Sequence, residues 1–215
     1  MKMKKTTRIQ CGNSNCFCVE EDGNAILIDT SRTQYFDKIL SVCRDKNVRL
    51  IVLTHCHIDH IQNAAALSKV LSAPIAIHKS DYELIRDNTY EPMSADSLLG
   101  KVVLAVSNRS FRRDKVEFFE PDVYLNDGDT LDGYGMKATV IWLPGHTKGS
   151  IGILVGSSDL FVGDALMNIA YPTKSLLYGN WRDMIRSADK ISTFKDATIH
   201  FGHGKSVTVE KWNKH

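Results

Sequence analysis

The segment Thr-His-Cys-His-Ile-Asp-His at positions 54–60 concentrates side chains that can bind a metal ion. Imidazole and carboxylate groups stand at His55, His57, Asp59 and His60, directly after an apolar stretch that is typical of a buried strand. The end of a strand is a rigid platform. The turn beyond it can direct His55 and His57 to one point, and Asp59 and His60 to a neighbouring point. The chemistry indicated is the binding of one or two divalent cations.

Three later residues repeat this arrangement. His146 lies in Leu-Pro-Gly-His-Thr-Lys-Gly-Ser, Asp164 in Leu-Phe-Val-Gly-Asp, and His203 in Ile-His-Phe-Gly-His-Gly. Each follows an apolar, strand-like stretch, and each is preceded by a glycine, which allows the backbone to bend close to a ligand. A single histidine in a glycine-rich loop is usually a surface residue. Three such loops in a chain that already contains the 54–60 segment indicate further metal ligands.

The elements that must position these residues are short strands alternating with helices. Strands are predicted at 6–10, 15–20, 24–29, 48–54, 74–77, 122–125, 136–143, 151–156, 159–162 and 197–201, with helices at 36–43, at 60–71 and from 181 onward. The alternation is typical of an α/β protein and predicts two sheets packed face to face with helices outside. We expect a single domain spanning residues 1–215. Residues 88–120 are predicted to form a surface excursion that helps to cover the site, or else a partly helical decoration.

Composition narrows the class of protein. The chain has 215 residues, 43% hydrophobic and 24% charged, which excludes a disordered chain, a fibre and a coiled coil. A net charge of +2 provides no strong field, so we expect a small-molecule substrate and neither a nucleic-acid nor a membrane partner. No apolar run approaches the roughly 20 residues of a membrane helix. Five cysteines without a secretion signal predict reduced thiols in the cytoplasm. The oligomeric state is left open.

The order His-x-His-x-Asp-His, then His, Asp and His, resembles the metallo-β-lactamase-fold superfamily of metallohydrolases. The resemblance covers nearly the whole chain, from Asp29 to His203, and every metal-binding position is filled. It implies a four-layer αβ/βα sandwich, in which two mixed β-sheets pack face to face with helices outside and two metals lie at one rim. The motifs identify the superfamily with high specificity and the substrate poorly.

The resemblance also implies a role for each ligand. The first metal would be bound by His55, His57 and His146, the second by Asp59, His60 and His203, with Asp164 bridging the two. Two Zn²⁺ ions are expected because the donor set contains imidazole and carboxylate but no thiolate, and Fe or Mn would also be accommodated. Asp29 is expected to support a ligand by hydrogen bonding, or else to cap a turn.

The implied reaction is hydrolysis. Two divalent ions can share a hydroxide at neutral pH, which attacks a carbonyl or phosphoryl centre. Asp59 is the expected catalytic residue, since it would orient the hydroxide and carry a proton to the leaving group.

The ligand set also bears on the branch of the superfamily. The ligands look like those of short glyoxalase II-like members, so an ester, thioester or lactone is the expected substrate class. Too few residues follow His203 for the helical extension that contacts glutathione in full-length glyoxalase II. Acyl-homoserine lactonases usually place a pocket tyrosine where this chain has Met167. Tyr171 would have to substitute for it, and we expect Tyr171, Lys174 and Tyr178 to line the mouth of the pocket.

Three alternatives stay open. A persulfide dioxygenase of the same fold binds one iron at positions matching His55, His146 and Asp164. A zinc-dependent lactamase or phosphodiesterase is the next alternative, and a non-catalytic binding protein is the last. Two residues near the motifs are assigned to structure rather than chemistry: the Cys56 thiol should point away from the metals, and His200 should belong to a strand.

Overall fold

The computed structural model describes residues 4–214, within which the chain forms thirteen strands and seven helices of at least one α-turn. The strands are β1 (Lys4–Cys11), β2 (Ser14–Glu21), β3 (Asn24–Ile28), β4 (Asn47–Val52), β5 (Ile75–Ile77), β6 (Val123–Tyr124), β7 (Ala138–Trp142), β8 (Ile151–Val155), β9 (Asp159–Gly163), β10 (Leu166–Asn168), β11 (Pro172–Lys174), β12 (Thr198–Phe201) and β13 (Val207–Thr208). The helices are α1 (Phe36–Cys43), α2 (Ile58–Ile61), α3 (Ala64–Leu71), α4 (Tyr82–Arg86), α5 (Leu98–Arg113), α6 (Trp181–Ser192) and α7 (Val209–Trp212). Within the same residues, no helix combines the length and hydropathy needed to cross a bilayer.

The first sheet has the strand order β1-β2-β3-β4-β5-β6. Its first three strands form an antiparallel meander, and β3 to β6 run parallel. Asp22 and Gly23, both with positive φ, make the tight turn between β2 and β3. Because β3 and β4 are parallel neighbours, the residues that follow them, Asp29 and the 54–60 segment, emerge at the same edge of the sheet.

The second sheet has the order β13-β12-β9-β8-β7 and is also mixed, since only β12 and β9 run parallel. A separate two-stranded ribbon joins β10 to β11. The parallel pair again brings two carboxyl ends together, so that Asp164 after β9 and His203 after β12 lie beside each other.

Three apolar clusters fill the spaces between the layers. One packs α1, α3 and α4 against the first sheet, and includes Leu27, Ile51 and Leu67. A second lies between the two sheets, and a third packs α6 and α7 against the second sheet. Four layers therefore stack as helices, sheet, sheet and helices, which confirms the predicted fold class of two mixed sheets with helices outside.

Two segments near the site refine the sequence prediction. The helix predicted over 60–71 is broken into α2 and α3, because the Asn63 side chain turns back and donates to the Thr30 and Arg32 carbonyls at 2.8 and 2.6 Å. The irregular stretch 88–120 contains α5, a helix of 16 residues. This helix agrees with the partly helical alternative predicted for the stretch.

Candidate metal centre

The turn after β4 carries three of the predicted ligands into the interior. His55 and His57 precede α2 and His60 lies on it, and all three are buried. Asn88 holds this turn, since its Oδ1 accepts the Ile58 amide at 2.6 Å and its Nδ2 donates to the carbonyl between the two histidines at 3.0 Å. The close spacing of ligands in the sequence therefore becomes a fixed arrangement in space.

Asp81, a fully buried carboxylate, ties this turn to the loop that carries His146. Its Oδ2 accepts the Cys56 amide at 2.9 Å and the Thr147 hydroxyl at 2.9 Å, and its Oδ1 accepts the Gly149 amide at 2.6 Å. A side chain at Gly149 would collide with this carboxylate. Three ligands from two distant parts of the chain are thus positioned through a single acidic residue.

Asp164 and His203 reach the same point from the second sheet. They follow β9 and β12, whose carboxyl ends are adjacent. Gly202 allows this approach, because a Cβ there would collide with the Asp164 carboxylate and would lie 2.8 Å from Cε1 of His60. The glycine before His203 is therefore required by the crowding of the ligands themselves.

All seven predicted ligands converge. Their donor atoms form three overlapping groups, each within 4.8 Å: His55, His57 and His146; His55, His60 and Asp164; and Asp59, His60 and His203. Asp164 lies between the first and the third of these groups, with its Oδ2 3.2 Å from His203 Nε2 and 3.7 Å from His146 Nε2. We call His55, His57 and His146 the first site and Asp59, His60 and His203 the second site.

Four of the five histidines have their Nδ1 atom turned away from the centre and held by an oxygen. These contacts join His55 to Thr54 Oγ1 at 3.2 Å, His60 to Asp29 Oδ2 at 2.9 Å, His146 to the Leu177 carbonyl at 2.8 Å, and His203 to the Asn13 carbonyl at 2.7 Å. A carbonyl or carboxylate can only accept, so Nδ1 carries a proton in each of these rings and Nε2 is the ring nitrogen that faces the centre. The Thr54 hydroxyl oxygen also accepts from His55 Nδ1, because the Thr54 hydroxyl donates its own proton to Asp29.

The Asp29 carboxylate contacts two parts of the metal centre. Besides His60, its carboxylate accepts the backbone amide of Thr54 at 2.8 Å. It therefore holds the start of the ligand-bearing turn and a ligand at the same time.

The donor set leaves buried atoms without partners. Among the described residues, four atoms of this set are inaccessible to solvent and make no hydrogen bond, namely His55 Nε2, His57 Nε2, His60 Nε2 and Asp164 Oδ1. Leaving such groups unpaired in the interior costs about 1–3 kcal/mol each. Bound cations would satisfy these lone pairs, and an array of imidazoles around a central carboxylate suits divalent metals. The residues present fit two such ions.

Charge separates the two sites. In the first site, burial lowers the pKa of His57 to about 3 and also lowers the pKa of its two neighbours, so all three imidazoles are neutral. In the second site burial acts in the same direction, but the carboxylates led by Asp164 outweigh it. They raise the pKa of His60 to about 9 and that of His203 to about 10. The Asp164 pKa is held well below its usual range by these histidines, despite its burial.

One aromatic contact at the centre has no signal in the ligand motifs. The ring of Phe111 on α5 stacks on His57, with centroids 4.9 Å apart and planes inclined by 20°. The 88–120 segment thus lies against a ligand of the first site. Asp81 and Asn88 were also not expected, because a buried acid or amide that binds backbone amides leaves no spacing pattern.

The three residues predicted at the pocket mouth have other surroundings. Tyr171 is 64% exposed, Lys174 Nζ lies 5.9 Å from the centroid of the Trp181 ring, and the Tyr178 hydroxyl donates to Asp96 at 2.7 Å. Their contact with substrate stays a prediction. The Cys56 thiol is fully buried, and the His200 ring stacks on a strand phenylalanine 4.5 Å away.

The sequence profile described as the metallo-beta-lactamase superfamily matches residues 9–203. The chain belongs to this superfamily. Members of the superfamily are mostly metallohydrolases that bind divalent metals, and the His/Asp cluster of this chain is consistent with both properties.

Two relatives in the metallo-β-lactamase superfamily match almost the whole chain. An uncharacterised protein of Mycobacterium tuberculosis is 31% identical over 209 residues, covering 91% of this chain and 88% of its own length. The hydroxyacylglutathione hydrolase GloC of Haemophilus influenzae is 25% identical, covering 91% of this chain and 87% of its own length. Among solved structures, the BLEG-1 B3 metallo-β-lactamase superimposes with a TM-score of 0.76 at 22% identity, covering 99% of this chain and 97% of that one. At that identity the match supports the fold.

Proposed function

We propose that the protein is a dinuclear zinc hydrolase of small acyl substrates, namely esters, thioesters or lactones. The observation that carries the proposal is the convergence of seven ligands with Asp164 between two histidine groups. The 25% identity to a hydroxyacylglutathione hydrolase, spread over 91% of the chain, favours an acyl substrate.

The chain's own residues would divide the work as follows. His55, His57 and His146 would hold one cation, Asp59, His60 and His203 the other, and Asp164 both. When bound, the two cations would supply a hydroxide nucleophile at neutral pH and polarise the substrate carbonyl. Asp29 and the two carbonyls keep Nε2 of His60, His146 and His203 directed inward, so that these rings need not rotate when the metals bind.

Asp59 is the proposed catalytic residue. It is more accessible than the other ligands, with a side chain 20% exposed, and its Oδ2 lies 3.5 Å from His203 Nε2. Burial would raise its pKa, but His60 and His203 outweigh that effect and keep the pKa below its ordinary value. An ionised carboxylate at this position can accept the proton of the attacking water. A low pKa then makes the protonated form a ready donor to the leaving alkoxide or thiolate.

The decisive experiment combines metal analysis with a substrate panel. The purified protein is analysed for bound metals and assayed on S-lactoylglutathione, another acyl thioester, a lactone, a chromogenic cephalosporin and a phosphodiester. We expect about two zinc ions per chain and turnover of at least one acyl substrate, by analogy with other two-metal hydrolases. Asp59→Asn should abolish turnover, whereas His78→Gln, a histidine outside the centre, should leave it intact.

Other outcomes would contradict the proposal. A single iron per chain, with oxygen consumption on glutathione persulfide and no hydrolysis, would assign the protein to the dioxygenase reaction. Turnover of only the cephalosporin or only the phosphodiester would keep the metallohydrolase and remove the acyl substrate class. Full activity of His57→Ala would remove the metal mechanism altogether.

A further inference from the structure

Helix α5 exposes an unusual combination of side chains. Its outward face begins with four aliphatic residues, Leu98, Leu99, Val102 and Val106, which are 84, 64, 63 and 66% exposed. The same face ends with Arg109, Arg112 and Arg113, all exposed. We call these seven residues the outer face of α5. Isolated exposed apolar residues are ordinary, but four on consecutive turns of one helix indicate a surface that a partner covers.

The helix cannot turn this face inward, because its other side is anchored. Ser110 Oγ accepts from Arg32 Nη2 at 2.9 Å, and the Arg32 Nη1 atom donates to Asp114 at 2.9 Å. Phe111 stacks on His57, and a side chain at Gly100 would lie 3.1 Å from the Leu176 carbonyl. The aliphatic residues are therefore held facing the solvent, and only a binding partner can bury them.

The charge of α5 indicates the chemistry of that binding partner. Its 16 residues include four cations and no acidic residue. The whole chain carries only +2, so the remainder of the molecule is net negative, and of the α5 arginines Arg113 is paired with Asp114 just beyond the helix at 2.7 Å. A shallow groove of about 690 Å³ lies among Ala105, Asn108 and the three arginines. The covering surface should thus be apolar and anionic together.

We propose that the outer face of α5 docks on an anionic lipid bilayer. The segment from Leu98 to Val106 spans about 12 Å at 1.5 Å per residue, and would insert its aliphatic side chains at the level of the first acyl carbons. The arginines that follow would lie among the headgroup phosphates. This departs from the expectation of no membrane partner, which rested on the net charge of the whole chain and could not detect a local concentration.

Two other occupants fit less well. A second copy of the chain would supply no acidic group to the three arginines of this face, since an isologous interface pairs the same surface with itself. A nucleic acid would complement the arginines but leave the four aliphatic side chains in water. The bilayer satisfies both halves of the face. Because α5 also contacts His57, docking would bring the candidate metal centre to within about one helix diameter, ~10 Å, of the lipid.

The test is flotation of the full-length protein with vesicles. One set consists of phosphatidylcholine alone, and the other contains phosphatidylglycerol in addition. We expect binding to the anionic vesicles at least roughly tenfold tighter than to the neutral ones, and weakened by high salt. The double variants Val102→Ser with Val106→Ser, and Arg109→Glu with Arg112→Glu, should each lose binding by roughly tenfold or more. Circular dichroism and thermal unfolding confirm that both variants are folded.

Helix α3 offers a matched control. Lys69 and Val70 are an adjacent exposed cation and an exposed valine, the latter 57% accessible, on a helix without a basic cluster. Lys69→Glu with Val70→Ser should leave vesicle binding unchanged. Equal binding to neutral and anionic vesicles, no binding to either, or equal loss in the α3 control would overturn the proposal. Two further results would also overturn it. One is a dimer in light scattering that the double variant Val102→Ser with Val106→Ser converts to a monomer. The other is a gel shift with RNA that the double variant Arg109→Glu with Arg112→Glu removes, while the protein does not bind vesicles.

Discussion

The two halves of the metal centre both contain buried histidines, but they hold those histidines in different protonation states. The first site contains only imidazoles, which burial keeps neutral, with the pKa of His57 at about 3. The second site surrounds two imidazoles with carboxylates, which raise the pKa of His203 to about 10. The imidazoles of the first site are neutral, with His57 Nδ1 donating to His146 Nε2 at 2.9 Å, whereas the imidazoles of the second site are protonated. The location of the carboxylates, and not of the histidines, makes this difference.

Asp164 is the residue on which both sites depend, and its loss should have the largest effect. Asp164→Asn keeps the size of the side chain but removes the charge that lies 3.2 Å from His203 and 3.7 Å from His146. We expect both metals to be lost and kcat/KM on the best acyl substrate to fall on the order of 10³-fold, because several kcal/mol of transition-state stabilisation depend on the metals. Asp159→Asn, at the opposite end of β9, should retain the metals. Retention of two metals by Asp164→Asn would show that this carboxylate does not join the sites.

The charge difference predicts a second effect, on the pH dependence of metal affinity. Below the raised pKa values of about 9 and 10, His60 and His203 are protonated, and both protons must leave before the second site binds a metal. Its apparent affinity should therefore fall about 100-fold for each unit of pH decrease, since about two protons are displaced. The first site releases none at neutral pH, because the pKa of His57 lies far below it.

Chelator competition from mildly alkaline to mildly acidic pH would measure this difference, and calorimetry in buffers of different ionisation enthalpy would count the protons. Metal occupancy at the first site should stay nearly constant while that of the second site declines. Equal proton release at the two sites would contradict the assignment of neutral imidazoles to the first site and protonated imidazoles to the second.

A third prediction separates the two sites by their supports. Asp29 holds Nδ1 of His60, while Asp81 holds the two loops that carry the first site. Asp29→Asn should weaken the second metal by about 10- to 100-fold, and Asp81→Asn should weaken the first by a similar factor. Each variant serves as the control for the other, and metal-specific absorption of the cobalt-substituted protein would report which site has changed. If both variants weakened the same metal, the two supports would not be independent.

The parts of this centre that the sequence predicts differ in their physical nature from the parts that it does not. The ligands were found because metal binding demands particular side chains, and because each of them follows an apolar strand whose end is easy to recognise. The same strands gave the two face-to-face sheets. Leu177 and Asn13 could not be found in this way, since they act through backbone carbonyls that every residue possesses. Tyr178 was predicted at the pocket mouth from its residue type and position alone. Its hydroxyl donates to Asp96, and the sequence does not distinguish a tyrosine that binds substrate from one that binds a neighbouring carboxylate.

The smallest expected effect concerns the one aromatic ring that distinguishes the sites. Phe111 stacks on His57 of the first site and belongs to the anchored side of α5. Phe111→Ala should change KM for the best acyl substrate several-fold while leaving the metal content at its original value, because a stacked ring is worth only about 0.5–1.5 kcal/mol beyond its buried area. Phe118→Ala, which removes a 44% exposed ring that packs on Arg86, is the matched control and should change neither quantity. Loss of the first-site metal in Phe111→Ala, with KM unchanged, would instead make the ring a support of His57 and would contradict the prediction that residues 88–120 help to cover the site.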